Sequence, residues 1–139
     1  MPPAEKSYHT VELEGTTSAG GALTVTSSQR TPLHGDVLAV AVDGIALTDS
    51  ANLVLTEEIA GAAGTDVTVQ TIINNADIGN ATVNAYYPSV QLQDNAGTGR
   101  VTGTDAIPTL FTLHGGYLKA VVSAGGDTKA VKIWVTLRT

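Results

Sequence analysis

The sequence predicts an all-β fold: an antiparallel β-sandwich or barrel-like single domain of about nine or ten short strands, with an extended N-terminal arm. Three observations carry this expectation. Short apolar–polar alternations recur along the chain, each bounded by clusters of Gly, Asn, Asp and Ser. No amphipathic stretch is long enough to form the crossover helix that parallel strands require. Val, Thr, Ala and Gly dominate, whereas Phe111 and Trp134 are the only Phe and Trp. Such a core must be built from small and β-branched side chains, which suit a pleated surface better than a helix. With 139 residues the chain is long enough for one core.

Taken in order, residues 1–8 read as the arm and 9–139 as the domain. The arm, with Pro2, Pro3, Glu5 and Lys6, has no periodicity. Residues 8–14 alternate through Val11 and Leu13, residues 15–21 form a turn rich in Gly, Ser and Thr, and 22–26 resume a strand. Residues 36–42 are a continuous apolar run, expected in the middle of a sheet. They end at Asp43-Gly44, the signal of a tight hairpin turn, with 45–48 as the return strand. Residues 52–59 are expected as a strand, although Ser50 before an acidic stretch also fits a helix cap. Alternation returns at 66–73, a loop is expected at 74–80, and a strand at 81–87 ends before Pro88, which cannot donate to a ladder. Turn chemistry fills 91–108, and 109–113 make a short strand. The chain closes with two alternating segments, 117–123 and 131–138, expected as a hairpin around 123–129, where Gly125 and Gly126 supply positive φ.

Composition excludes several classes. Without cysteine there is no disulfide framework and no thiolate metal site. The N-terminus lacks the apolar region of a secretory signal and no apolar run spans a membrane, so a soluble chain, synthesised in the cytoplasm and without a membrane partner, is expected. The net charge of −6 argues against nucleic acid as a partner, which requires a basic surface. The charge is unevenly spread, −7 over residues 1–66 and +3 over residues 117–139. That asymmetry suits either a solvated surface or one end facing an oppositely charged neighbour.

The residues that carry chemistry do not assemble into a motif. His9, His34 and His114 are far apart, and Asp77 among Asn74, Asn75 and Asn80 departs from the calcium-loop pattern, whose bidentate Glu would fall at Tyr86. No nucleophile elbow occurs. Glu57 and Glu58 are adjacent, so in a strand they point to opposite faces and are expected as solvent charges rather than a facing catalytic pair. The paired glycines fit turns rather than phosphate loops. Tyr86 and Tyr87 offer one ring to a core and one to solvent, with core packing the plainer account. No catalytic, cofactor-binding or metal-binding residue is expected, and the chain is not expected to be an enzyme.

The run Val83-Asn84-Ala85-Tyr86-Tyr87-Pro88, followed by a polar turn region, then Gly116-Tyr117-Leu118-Lys119-Ala120-Val121-Val122-Ser123-Ala124-Gly125-Gly126-Asp127-Thr128-Lys129 and the strand at 131–135, resembles the C-terminal half of head decoration, or cement, proteins of tailed bacteriophages. The resemblance implies a virion structural protein on the capsid surface, with the major capsid protein as partner. It also implies a homo-oligomer, as a trimer, that stabilises the shell by bridging capsomers. On that reading the contacts fall on the arm, at Pro2, Pro3, Glu5, Lys6 and Tyr8, and on Lys132, Trp134 and Arg138. The alternative is a carbohydrate- or receptor-binding β-sandwich module of a virion, which calls for Tyr86 or Trp134 exposed on a flat face. Trp134 distinguishes a covered central strand from a partner surface.

Overall fold

The computed structural model describes residues 7–79, 83–91, 93, 96–106 and 108–139. Among these there are thirteen strands and no helix: β1 (Tyr8–Thr16), β2 (Leu23–Thr26), β3 (His34–Asp43), β4 (Asn52–Ala60), β5 (Asp66–Asp77), β6 (Asn84–Tyr86), β7 (Val90–Gln91), β8 (Val101–Thr102), β9 (Asp105–Ala106), β10 (Pro108–Thr109), β11 (Thr112–His114), β12 (Tyr117–Ser123) and β13 (Ala130–Arg138). They make an antiparallel sandwich. The first sheet runs β1-β13-β3, with β11 and β6 sharing the far edge of β3, and the second runs β2-β12-β4-β5. Two small ladders, β7 with β10 and β8 with β9, lie outside these sheets.

Alternation builds the core as expected. Leu13, Val37, Val40, Val42, Ile133, Val135 and Leu137 point inward from the first sheet, and Leu53, Leu55, Leu118, Ala120 and Val122 from the second. Each fully buried Val or Leu contributes about 1.5–3 kcal/mol of transfer free energy, which lets a core with so few aromatic rings hold two sheets together.

The connectivity differs from the sequence expectation in one consistent way. β12 and β13 do not pair with each other: β12 lies between β2 and β4, and β13 lies between β1 and β3. The predicted closing hairpin is therefore a corner that carries the chain from one sheet to the other. The same holds at Asp43-Gly44, where residues 45–48 form a turn rather than a return strand and the chain crosses from β3 to β4. Alternation reports which face is buried but not which strand is the neighbour.

The β12–β13 corner bonds to two others, β1 to β2 and β3 to β4. Thr17, 3% exposed, donates its hydroxyl to Gly126 O at 2.6 Å and accepts Lys129 N–H at 2.8 Å. Gly125 N–H donates to Gly21 O at 2.8 Å, and the Thr48 hydroxyl donates to Ala124 O at 2.6 Å. Of the two glycines expected at positive φ, only Gly126 (φ 89°) adopts it; Ala124 (54°) and Thr128 (52°) do so instead. Gly125 serves close approach, since a Cβ there would stand 3.0 Å from Thr17 Cγ2.

β4 is the strand expected from the sequence, and β5 continues to Asp77, through residues expected as a loop. These two strands form a genuine hairpin with register shifts, one of them between Glu57 and Glu58.

Candidate functional site

Strand period and register together define one outward face on the first sheet. Inward residues of β1 and β13 alternate with Tyr8, Thr10, Glu12 and Glu14 on β1 and with Arg138, Thr136, Trp134 and Lys132 on β13. The two rows stand directly opposite each other. Tyr8 thus faces Arg138, and Glu12 faces Trp134. The contact residues suggested by the sequence that lie within the described chain, Tyr8, Lys132, Trp134 and Arg138, therefore share one face. Pro2, Pro3, Glu5 and Lys6 lie outside the described residues.

Trp134 is half-buried. The positions in line with it across β3 and β6 are Ala41 and Ala85, and the Lys132 ammonium sits 5.3 Å from the ring centroid. A cation over an indole face is attracted by the ring quadrupole, so lysine and ring form one preorganised feature.

The face is not a basic patch. Lys132 pairs with Glu12 at 3.3 Å and Arg138 with Asp36 at 3.1 Å, and Lys119 on the second sheet pairs with Glu58 at 3.5 Å. Each of these ion pairs joins a cation near the C-terminus to a carboxylate of the acidic first half. Three of the four cations of residues 117–139 are thus paired between neighbouring strands. At the end of the same face, Glu14, Asp43 and Lys132 line a shallow cavity of about 270 Å³.

The second sheet holds two carboxylates that the sequence reading placed in solvent. Glu57 is fully buried and Glu58 is 5% exposed. Glu57 Oε2 accepts the backbone N–H groups of His114 (2.7 Å) and Gly116 (3.1 Å). Its Oε1 accepts Gln70 Nε2 (2.9 Å) and lies 3.1 Å from His114 Nδ1. Burial works to raise this carboxyl's pKa, but the bonds from His114, Gln70 and Gly116 prevail and hold it below the ordinary value of 4.5. The arrangement is structural: the carboxylate ties the β11–β12 connection to β4.

Glu58 lies on the other face of β4, beside Tyr117 in the register of β12. The Tyr117 hydroxyl donates to Asp66 Oδ2. That bond, with burial and the charges of Asp66 and Glu58, pushes the phenol up to about 12, so it remains a donor at neutral pH. Glu58, Asp66 and Tyr117 line a cavity of about 220 Å³ with Gln29, Ile59 and the Gly115-Gly116 backbone. No alternation rule could have found it, because it depends on the β4–β5 register shift and on a corner folding back over β12.

The other candidates separate. Tyr86 packs against the core and its hydroxyl donates to Asp77 O at 2.8 Å, whereas Tyr87 is 77% exposed. Asp77 accepts Gly79 N–H at 3.2 Å, as in an Asx turn. Among the described residues no group of three or more His, Asp or Glu is arranged to hold a metal ion. No described helix is long and apolar enough to cross a membrane.

By architecture the chain is a two-sheet β-sandwich module. No protein-family model matches it, and no curated protein matches it. Among solved structures, the infectious bursal disease virus Gx strain is similar over 96% of this chain and 32% of that one, at 12% identity and a TM-score of 0.43. This chain thus spans about a third of that viral chain. The Yersinia pseudotuberculosis-derived mitogen is similar over 93% and 86%, at 10% identity and 0.40. The virus-like particle of the Macrobrachium rosenbergii extra small virus is similar over 99% and 82%, at 12% identity and 0.33. All of these fall below a TM-score of 0.5 and assign no function.

Proposed function

We propose that the chain is a virion structural protein, a capsid decoration or cement protein that binds the outside of a phage head through the outward face of its first sheet. The observation that carries this reading is the convergence of Tyr8, Lys132, Trp134 and Arg138 on that face. The resemblance of residues 83–88 and 116–135 to cement proteins supports it. The viral structures named above are compatible with it but too distant to add weight.

The mechanism is mass action. A subunit that spans neighbouring capsomers binds fully only when their spacing is that of the mature lattice, so binding stabilises that lattice. Trp134 supplies the apolar anchor of such a contact, and the ion pairs around it form a polar rim worth little individually. The N-terminal arm that the sequence delimits, with Pro2, Pro3, Glu5 and Lys6, is the second contact in this reading. The partner is the major capsid protein, and the cement protein acts as a trimer.

Quantitative mass spectrometry of gradient-purified virions tests this reading. Copies stoichiometric with the capsid lattice are expected; absence of the chain from virions contradicts it. The second reading, a carbohydrate- or receptor-binding module, calls for Tyr86 or Trp134 exposed on a flat face. Tyr86 packs against the core and Trp134 is half-buried, which leaves Tyr87 as the exposed ring that such a reading would use. That reading requires glycan-array binding by the isolated protein that is abolished in Tyr87→Ala.

A further inference from the structure

The cavity on the second sheet has an unusual imbalance of hydrogen-bonding groups. Glu58 has a side chain only 6% exposed, and its Oε1 is 3.5 Å from Lys119 Nζ. Its Oε2 is buried without a hydrogen-bond partner among the described residues. Buried carboxylate oxygens are normally paired, because desolvation of an unmatched charge is costly. The other polar groups of the cavity do not relieve it. The Tyr117 hydroxyl is already committed to Asp66, and Asp66 brings a second carboxylate to the same wall. Apart from the exposed Gln29, whose amide both donates and accepts, what the cavity offers an incoming group is acceptors.

We propose that this cavity receives the cationic end of an arginine or lysine side chain from a protein partner. Two carboxylates against the single Lys119 leave the pocket acidic, so a ligand that both donates hydrogen bonds and carries positive charge is favoured over a neutral one. Ile59 and the Tyr117 ring provide apolar ground for the methylene stem of such a side chain, as long basic residues require. Outside the cavity the apolar ground continues: Ile59 is 38% exposed, and Val67, opposite it in the β4–β5 register, is 51% exposed. A protein surface covers such a rim, and a free polyamine leaves it wet. Gly116 lets the β11–β12 connection pack closely on β4 beside the cavity, since a Cβ there would lie 2.4 Å from the backbone carbonyl oxygen of Glu58. The inference does not depend on the capsid reading, because the cavity belongs to the sheet that lacks Trp134.

The test is an NMR titration of the full chain with the capped tripeptides Gly-Arg-Gly and Gly-Lys-Gly, following the amides of Gly115, Gly116 and Tyr117. Saturable shifts at these amides are expected, with at least fivefold weaker binding to Glu58→Gln and to Asp66→Asn. Asp66 is exposed, so its variant stays folded even where Glu58→Gln does not. A tripeptide with citrulline in place of arginine should give no saturable shift. Equal response to the citrulline peptide, or no saturable response to either basic peptide, overturns the proposal. Tighter binding of spermidine than of both tripeptides overturns the choice of a protein partner. Saturation by calcium with both tripeptides inert overturns the choice of a cationic side chain.

Discussion

Glu57 Oε2 accepts the backbone N–H of His114 at 2.7 Å, across 57 residues of sequence, and this bond fixes where the chain turns from the first sheet into the second. Removing the charge while keeping the shape tests its weight. Glu57→Gln places an amide donor or a weaker acceptor against the donors of His114 and Gly116. It should destabilise the protein by about 2 kcal/mol in urea unfolding. A loss below about 0.5 kcal/mol, the range of an ordinary surface substitution, contradicts this role.

The same carboxylate shapes the acid response. Its folded pKa lies below the ordinary 4.5, so its stabilising effect is complete above the unfolded value and is lost as pH falls through the folded one. Stability should therefore decline below about pH 4.5, and the Glu57→Gln variant should show a shallower decline over that window. Parallel stability–pH curves for the two proteins would show that the hydrogen bonds do not act on this ionisation.

The joined corners give a third expectation. Thr17→Val keeps the volume but leaves Gly126 O and Lys129 N–H without the hydroxyl they share, and should cost about 1–2 kcal/mol. Thr17→Ser retains the hydroxyl and should lose less. A loss in Thr17→Ser as large as or larger than that in Thr17→Val would contradict a dominant role for the hydroxyl.

Backbone crowding gives a fourth. A Cβ at Gly44 would stand 2.1 Å from Ile78 O, a rigid neighbour, so Gly44→Ala should destabilise by about 2 kcal/mol or more. Gly20→Ala, whose Cβ would make only an ordinary contact at 3.8 Å to Ser18 Oγ, should be within about 0.5 kcal/mol of the parent. Thermal unfolding of both variants decides this.

The sequence made the sandwich legible through period-2 runs such as Val131, Ile133, Val135 and Leu137, all of which are buried. It also put Lys132, Trp134 and Arg138 together, because residues two apart share a face. It did not show that Tyr8 joins them, since that needs the pairing of the first strand with the last. It misled at Asp43-Gly44 and at 123–129, because a Gly-containing turn looks the same whether it closes a hairpin or crosses between sheets. Glu57 and Glu58 escaped for another reason. Acidic residues are rarely buried, and what holds these two inside comes from residues 13 to 61 positions away.

The central proposal, that the Trp134 face binds a viral shell, is tested most directly by co-sedimentation with shells of a phage major capsid protein encoded beside this chain. The parent protein should pellet with the shells saturably, and Trp134→Ala should bind at least tenfold more weakly, about 1.4 kcal/mol. Failure of the parent to pellet, or equal binding by Trp134→Ala, would contradict the claim.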